Sequence, residues 1–163
     1  MTQILIAKSY IGQLEKPKNS GFQDPKFEAD MRALGEWVPS YAWCACFAQM
    51  VFRKAYPERS EELRRLFDPS TRKTFDNFRT ADFEISQKPV LGSLVIWATY
   101  KAGVAQWTGH AGIVSEVISD TEFKSIDGNT SKLGSRNGDR VGENKWTTAI
   151  KPNGLNVLGF ITI

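Results

Sequence analysis

The spacing of hydrophobic residues changes near Pro89, and this change constrains the fold more than any other feature of the sequence. Before it, apolar residues recur every three or four positions, which is the period of an amphipathic helix. After it, short apolar runs alternate loosely between turn residues, which is typical of strands. The predicted helices cover residues 2–12, 25–34, 43–55, 60–67 and 71–78, and the predicted strands cover residues 94–97, 110–118, 122–127, 146–150 and 156–163. Helices followed by an antiparallel sheet indicate an α+β fold.

The length and composition limit the class of protein. A chain of 163 residues suits one ordinary domain, so we expect a single domain over residues 1–163. Its 41% hydrophobic and 24% charged residues exclude wholesale disorder and a coiled coil. No apolar run reaches the roughly 20 residues of a membrane-spanning helix, so we expect no stable membrane insertion. The first residues lack a basic leader, which predicts synthesis in the cytoplasm without a signal peptide.

The charge distribution bears on the partners of the protein. The 21 basic and 18 acidic residues give a net charge of +3 and are interspersed along the chain. This mild excess suits an anionic polymer or surface. The interspersed acidic residues argue against nucleic acid as a partner, because they leave no basic stripe along the sequence. Residues 134–144 are predicted to form a polar loop, whose Arg136 and Arg140 are candidates to meet such a polymer. We expect a monomer.

The two cysteines exclude both a disulfide framework and the usual zinc site. Cys44 and Cys46 are two residues apart on a predicted helix, where side chains point to nearly opposite sides, so a disulfide between them would be strained. The chain therefore suits a reducing compartment. Two cysteines and one histidine are too few for the usual zinc site, and we expect no metal and no cofactor.

A cysteine and the single histidine are candidates for nucleophilic catalysis. His110 is the only side chain whose ordinary pKa suits a general base at neutral pH. Cys44 is its natural partner, because the N–H groups and dipole at a helix start favour a thiolate. Cys46 lies roughly 200° around the same helix and cannot share that partner. The alternative is that both cysteines are small buried apolar residues.

A third polar group should orient the imidazole, and the candidates are Asp127 and Asn129. A two-residue turn between the strands would pair Val114 with Asp127 and leave Asn129 nearer to His110. A four-residue loop would set Asn129 opposite His110. A longer connection or a bulge near residues 118–122 would instead bring Asp127 to the ring. Both candidates stay open, as does the alternative that they form only a polar turn.

Three segments, in order, resemble the CHAP-type, papain-like cell-wall amidases and peptidases. Residues 41–47, Tyr-Ala-Trp-Cys-Ala-Cys-Phe, resemble the Trp-Cys-Ala-x-Phe start of the catalytic helix in that family. Residues 109–114 resemble its Gly-His-x-Gly-Ile-Val strand, and residues 126–131 its acidic-Gly-Asn-Thr-Ser segment. Residues 12–22 are similar to the loop before the catalytic region in phage-associated peptidoglycan hydrolases.

The resemblance implies a papain-like fold, with the nucleophile at a helix start packed on the C-terminal sheet. It implies a peptidoglycan hydrolase that cleaves an amide bond with Cys44 as nucleophile, His110 as base, and Asp127 or Asn129 as the orienting group. By motif match the third group is Asp127. The chain departs from the family in Ser93, where an Asp often follows Gly, and in Cys46, where an Ala is frequent. The acidic calcium loop that some members carry has no counterpart around Cys44.

Several expectations depend on this interpretation. Trp43, Trp97, Trp107 and Tyr41 are candidates to line a groove for glycan or peptide, although aromatic residues at such positions also suit a core. The protein would act on the cell wall after export or lysis, with an inhibitor, immunity or export protein as a further partner. The alternative function is a catalytically inactive wall-binding or structural module on the same fold.

Overall fold

The chain forms an α+β fold, in which helices precede one antiparallel sheet. The computed structural model describes residues 1–131 and 138–163. The α-helices are α1 Thr2–Ser9, α2 Pro25–Ala33, α3 Cys44–Ala55, α4 Ser60–Leu66 and α5 Thr71–Thr80. The strands are β1 Ile85–Ser86, β2 Leu94–Lys101, β3 Val104–Val117, β4 Glu122–Thr130, β5 Arg140–Thr147 and β6 Gly154–Ile161. They form one sheet in the order β1-β6-β2-β3-β4-β5, and the predicted fold class is confirmed.

The prediction was wrong where polar strands leave no apolar pattern. Residues 140–144, predicted as part of a loop, belong to β5, and residues 148–150 lie beyond its end. Only Val141 in that part of β5 is fully buried, so the sequence shows no alternation. Residues 134–137, including Arg136, lie outside the described residues. Arg140 makes a bidentate ion pair with Asp139, with N–O distances of 2.8 and 3.1 Å.

Helix α3 is the centre of the fold because the sheet and the other helices surround it. Every residue from 44 to 53 is buried, which is expected of a helix that lies inside a domain. The sheet face towards the helices contributes Ile96, Ile113 and Ile126 to the same apolar cluster. A second cluster, which includes Trp97 and Phe123, is separate from it. The start of α3 is therefore held firmly against the middle of the sheet.

The register between β3 and β4 decides which polar side chains meet. Val117 pairs with Phe123 across the connection, and a bulge at Ser115 shifts the register by one further residue. Beyond the bulge, Val114 pairs with Ser125, so the register of a two-residue turn is wrong by two positions. Ser119 holds the longer connection, because its Oγ accepts from the N–H groups of residues 121 and 122. Continuing the count places Asp127 opposite Gly112 and Asn129 opposite His110, which is the register predicted for a four-residue loop.

Candidate active site

Cys44 is the first residue of α3. Trp43 precedes the helix without a side-chain hydrogen bond to it, so no side chain caps the first N–H groups. The Cys44 side chain is 4% exposed. The N–H groups of Ala45 and Ala111 donate to its sulfur, and such donors favour the thiolate. The local fold thus gives this cysteine the electrostatic setting that its position in the sequence predicts.

His110 lies in β3, opposite Trp97 of β2. Its ring packs against Trp97 at 5.5 Å between centroids and against Trp146 at 6.3 Å. The side chain is fully buried. Neither ring nitrogen has hydrogen-bond geometry with a described residue, and catalytic hydrogen bonds are often loose before substrate binds. The aromatic walls leave the imidazole few alternative orientations.

Cys44 and His110 form a coupled pair with opposed pKa shifts. Burial, the largest single influence, would raise the pKa of Cys44, but the charge of His110 and the hydrogen-bond donors around the sulfur together outweigh it and hold that pKa below its ordinary value. Burial alone would lower the pKa of His110, but attraction to Cys44 and Asp127 raises it to about 10. At neutral pH these shifts favour a thiolate beside an imidazolium, which is the activated form of a nucleophilic cysteine.

Asp127 is the acidic residue that faces the imidazole. Its Oδ2 lies 3.7 Å from Nε2 of His110, an ion-pair distance slightly longer than a hydrogen bond. Ser125 Oγ donates to Oδ1 at 2.6 Å, and Trp146 Nε1 donates to Oδ2 at 3.2 Å. A side chain at Gly112 would overlap with Oδ1, so the carboxylate occupies the space that this glycine leaves. These contacts fix a fully buried carboxylate beside the ring.

Asn129 lies where β4 departs from regular geometry. Its φ of 57° is in the left-handed region, and the pairing of β4 with β5 shifts between Asp127 and Thr130. Asn129 is buried and borders a pocket with Asn19, Ala42 and Asp139. Asn129 therefore leaves the regular register that would set it opposite His110, and the side-chain oxygen that lies 3.7 Å from the imidazole belongs to Asp127.

Cys46 occupies a different environment from Cys44. It is 2% exposed and belongs to the apolar core. Burial, with a smaller contribution from the negative charge of Cys44, raises the pKa of Cys46 to about 12. A thiol with this pKa is protonated and unreactive at neutral pH.

The aromatic candidates for a groove divide into core and surface. Trp43 is fully buried against Phe22 and Phe47, and Trp97 is 1% exposed, so the expectation that they line an open groove is wrong. Trp43 packs inward because Gly128 leaves room for its ring. Trp107 is 82% exposed and Tyr41 53%. These two remain candidates for substrate contact.

A narrow cleft leads to the nucleophile. It has a volume of about 110 Å³ and lies between the start of α5 and the part of β3 before His110. Its lining includes Ala42, Cys44, Ser70, Thr71, Trp107 and Gly109. We call it the nucleophile cleft. Trp107 and Ser70 also border a neighbouring pocket with Arg72 and Lys73, which extends the cleft along α5.

Sequence reasoning missed the residues that support the site from a distance. Trp146 and Thr71 come from β5 and α5, and no motif connects them with the cysteine or the histidine. Ser125 shares a strand face with Asp127, and that spacing of two is the one signal in the sequence for their hydrogen bond. In residues 1–131 and 138–163, no group of three or more metal-ligating side chains comes together, and no helix is long and apolar enough to cross a membrane.

A helix that begins at a buried cysteine, packed on an antiparallel sheet that carries a buried histidine, is the architecture of a papain-like α+β protein. The family model of the CHAP domain matches residues 37–129, just over half of the chain, and the chain belongs to this family. The match begins before α3 and ends in β4, so it includes Cys44, His110, Asp127 and Asn129. No curated protein and no solved structure matched the chain. CHAP domains are generally amidases or peptidases of the cell wall.

Proposed function

We propose that the protein hydrolyses an amide bond of peptidoglycan by cysteine nucleophile catalysis. The observation that carries this proposal is the buried Cys44–His110 pair, whose opposed pKa shifts favour the ionised form. Burial opposes both charges, so the two groups stabilise each other. Binding to the cell wall alone does not require a buried ionised pair beside the nucleophile cleft, so this pair favours catalysis.

The reaction proceeds through a thioester. The Cys44 thiolate attacks the carbonyl carbon, and the π electrons of the C=O bond move onto oxygen. The backbone N–H of Cys44, at the uncapped start of α3, is positioned to donate to that oxyanion. The C–N bond breaks as His110 gives its proton to the leaving amine. Water then attacks the thioester, His110 takes a proton from it, and a carboxylic acid leaves with the thiolate regenerated.

Asp127 acts as the positioning residue for the imidazole. Its carboxylate stabilises the imidazolium electrostatically, and its own hydrogen bonds to Ser125 and Trp146 prevent it from turning away. Asn129 stays an alternative because an amide can orient an imidazole as well. The 3.7 Å contact of Asp127 with His110 favours Asp127.

The site would work on the cell wall, after export of the chain or lysis of the cell that made it. The nucleophile cleft contains Trp107, and the pocket beside it is lined by Arg72 and Lys73 together with one carboxylate, that of Asp76. An aromatic face and cations suit the sugars and carboxylates of peptidoglycan. We propose that the protein acts as a monomer, with an inhibitor, immunity or export protein as a further candidate partner.

The test is digestion of purified peptidoglycan by the chain, followed by mass spectrometry of the soluble fragments. We expect fragments with one new amine and one new carboxyl terminus, and their masses identify the amide that is cut. The Cys44→Ala variant should release none, while Cys46→Ala should retain activity. A wild-type chain that binds peptidoglycan but releases no fragment would contradict the proposal and support the inactive wall-binding module.

A further inference from the structure

Thr71 carries a buried hydroxyl that no described residue satisfies. It is the first residue of α5 and is 3% exposed. Its Oγ1 is buried and makes no hydrogen bond within residues 1–131 and 138–163. Most buried hydroxyls in folded proteins have a partner, because the loss of water is otherwise uncompensated. An exception therefore requires an explanation.

The surroundings of Thr71 show that the fold can satisfy a threonine nearby. Thr74, one turn further along α5, is fully buried, and its Oγ1 donates to the carbonyl of Asp68 and accepts from its N–H, both at 2.9 Å. Thr71 instead lines the nucleophile cleft together with Cys44. The same helix thus holds one threonine for structure, and leaves the other, at the wall of the cleft, with a buried hydroxyl that has no partner among the described residues.

The backbone of β3 brings this hydroxyl close to the catalytic pair. A Cβ atom on Gly109 would lie 2.5 Å from Thr71 Oγ1, so the hydroxyl occupies space that a side chain at this position would fill. Gly109 directly precedes His110 in β3. The hydroxyl therefore lies against β3, next to the residue that carries the base, and Thr71 and Gly109 both line the nucleophile cleft.

We propose that the Thr71 hydroxyl donates a hydrogen bond to the carbonyl oxygen of the amide under attack, as a second oxyanion donor beside the N–H of Cys44. The inference rests on the proposed function, since it assumes attack on a carbonyl. The hydroxyl keeps its proton throughout. It donates a hydrogen bond to the oxygen while the C=O electrons move onto that oxygen, and the hydrogen bond weakens when the carbonyl re-forms. A fixed donor in a site without bulk water stabilises this charge strongly.

Thr99 provides a matched control. Its Oγ1 is also buried without a described partner, but Thr99 lies in β2 and does not line the nucleophile cleft. Replacing either threonine by valine removes an unsatisfied hydroxyl and keeps the shape of the side chain. We therefore expect Thr71→Val and Thr99→Val to unfold at the wild-type temperature or slightly above it.

The experiment compares two reactions of Cys44 in the wild type, Thr71→Val, Thr71→Ser and Thr99→Val. Acylation by p-nitrophenyl acetate passes through an oxyanion, whereas alkylation by iodoacetamide does not. We expect Thr71→Val to slow acylation about 10²-fold while alkylation stays at the wild-type rate. Thr71→Ser should restore most of the acylation rate, and Thr99→Val should match the wild type. On peptidoglycan, Thr71→Val should lower kcat with little change in KM.

Three results would overturn the inference. Acylation of Thr71→Val at the rate of Thr99→Val would mean that the hydroxyl does not contact the oxyanion. An equal loss in acylation and alkylation would mean that Thr71 acts on the Cys44–His110 pair instead. A wild type that is acylated by the ester but releases no peptidoglycan fragment would contradict the proposed function and leave the Thr71 comparison valid. A wild type that is not acylated at all would overturn both.

Discussion

The two sides of the first turn of α3 carry the same chemical group in opposite electrostatic settings. Cys44 and Cys46 are two residues apart, and both are almost fully buried. The side that holds Cys44 meets β3 and His110, whereas the side that holds Cys46 meets the apolar core. The pKa of Cys44 falls below its ordinary value, and that of Cys46 rises to about 12.

This difference shows that burial alone does not determine the chemistry of a thiol. Burial raises the pKa on both sides of the helix. Only Cys44 lies beside a cation, which reverses the effect of burial together with the hydrogen-bond donors at the sulfur, and the charge of that cation is supported in turn by the carboxylate of Asp127. The reactive side of the helix is therefore built from β3 and β4, and changes there should make Cys44 more like Cys46.

The largest effect is expected from replacing Cys44 by alanine, and the same change at Cys46 is the comparison. Cys44→Ala removes the nucleophile and should abolish release of peptidoglycan fragments while the chain stays folded. Cys46→Ala should retain most of the activity and lower the free energy of unfolding by about 1 kcal/mol, because it truncates a small core side chain. Turnover and urea unfolding of both variants test this. An inactive Cys46→Ala beside an active Cys44→Ala would show that the nucleophile is misassigned.

A large effect is also expected from Asp127, whose carboxylate supports the imidazolium. Asp127→Ala should lower kcat by about 10²-fold or more, since it removes the positioning of a general acid–base. Asn129→Ala should lower kcat less, because the carboxylate that lies 3.7 Å from the imidazole is that of Asp127. The comparison requires turnover at equal folded fraction, measured by circular dichroism. A greater loss in Asn129→Ala, with Asp127→Ala near the wild type, would support the amide as the orienting group.

The third effect concerns the pH dependence of the pair. His110 has a raised pKa, so its imidazolium is present below pH 10 and is lost as the pH rises through about 10. Cys44 has a lowered pKa, so its thiolate persists below the ordinary range and is lost only as the pH falls through that lowered value. kcat/KM should therefore follow a bell-shaped profile whose alkaline limb lies near pH 10.

Alkylation by iodoacetamide at pH 7, followed by peptide mapping, isolates the thiolate of this pair. Cys44 should react at least about 10-fold faster than Cys46. In His110→Ala the alkylation of Cys44 should require alkaline pH, because burial remains and the cation is gone. Alkylation of Cys44 at an unchanged rate in His110→Ala would show that the helix start alone generates the thiolate.

The smallest effect is expected from Ser125, which acts through Asp127. Ser125→Ala removes the 2.6 Å hydrogen bond to Oδ1 and should lower kcat about 10-fold, the value of one hydrogen bond to a charged group. Ser115→Ala is the control, because Ser115 is in the neighbouring strand and its Oγ has no described partner. The alkaline limb of the pH profile should shift downwards in Ser125→Ala and stay in place in Ser115→Ala.

The sequence predicted the parts of the site that depend on local structure. Cys44 at a helix start and His110 in a strand follow from hydrophobic periodicity and turn residues, and both lie where expected. The position of Asp127 depends on the length of the connection and on the bulge at Ser115, and neither leaves a local signal. Trp43 was misplaced because its environment comes from residues far away in the chain, such as Phe22.

The small size of the nucleophile cleft has a consequence for selectivity between polymers. Its volume of about 110 Å³ is well below the roughly 300–1,000 Å³ of pockets that enclose a drug-sized ligand. A slender, extended chain fits such a cleft more readily than the backbone of a folded protein does. The shape of the entrance would then act as a sieve, sparing the compact proteins of the cell that makes this chain while leaving flexible peptides open to attack.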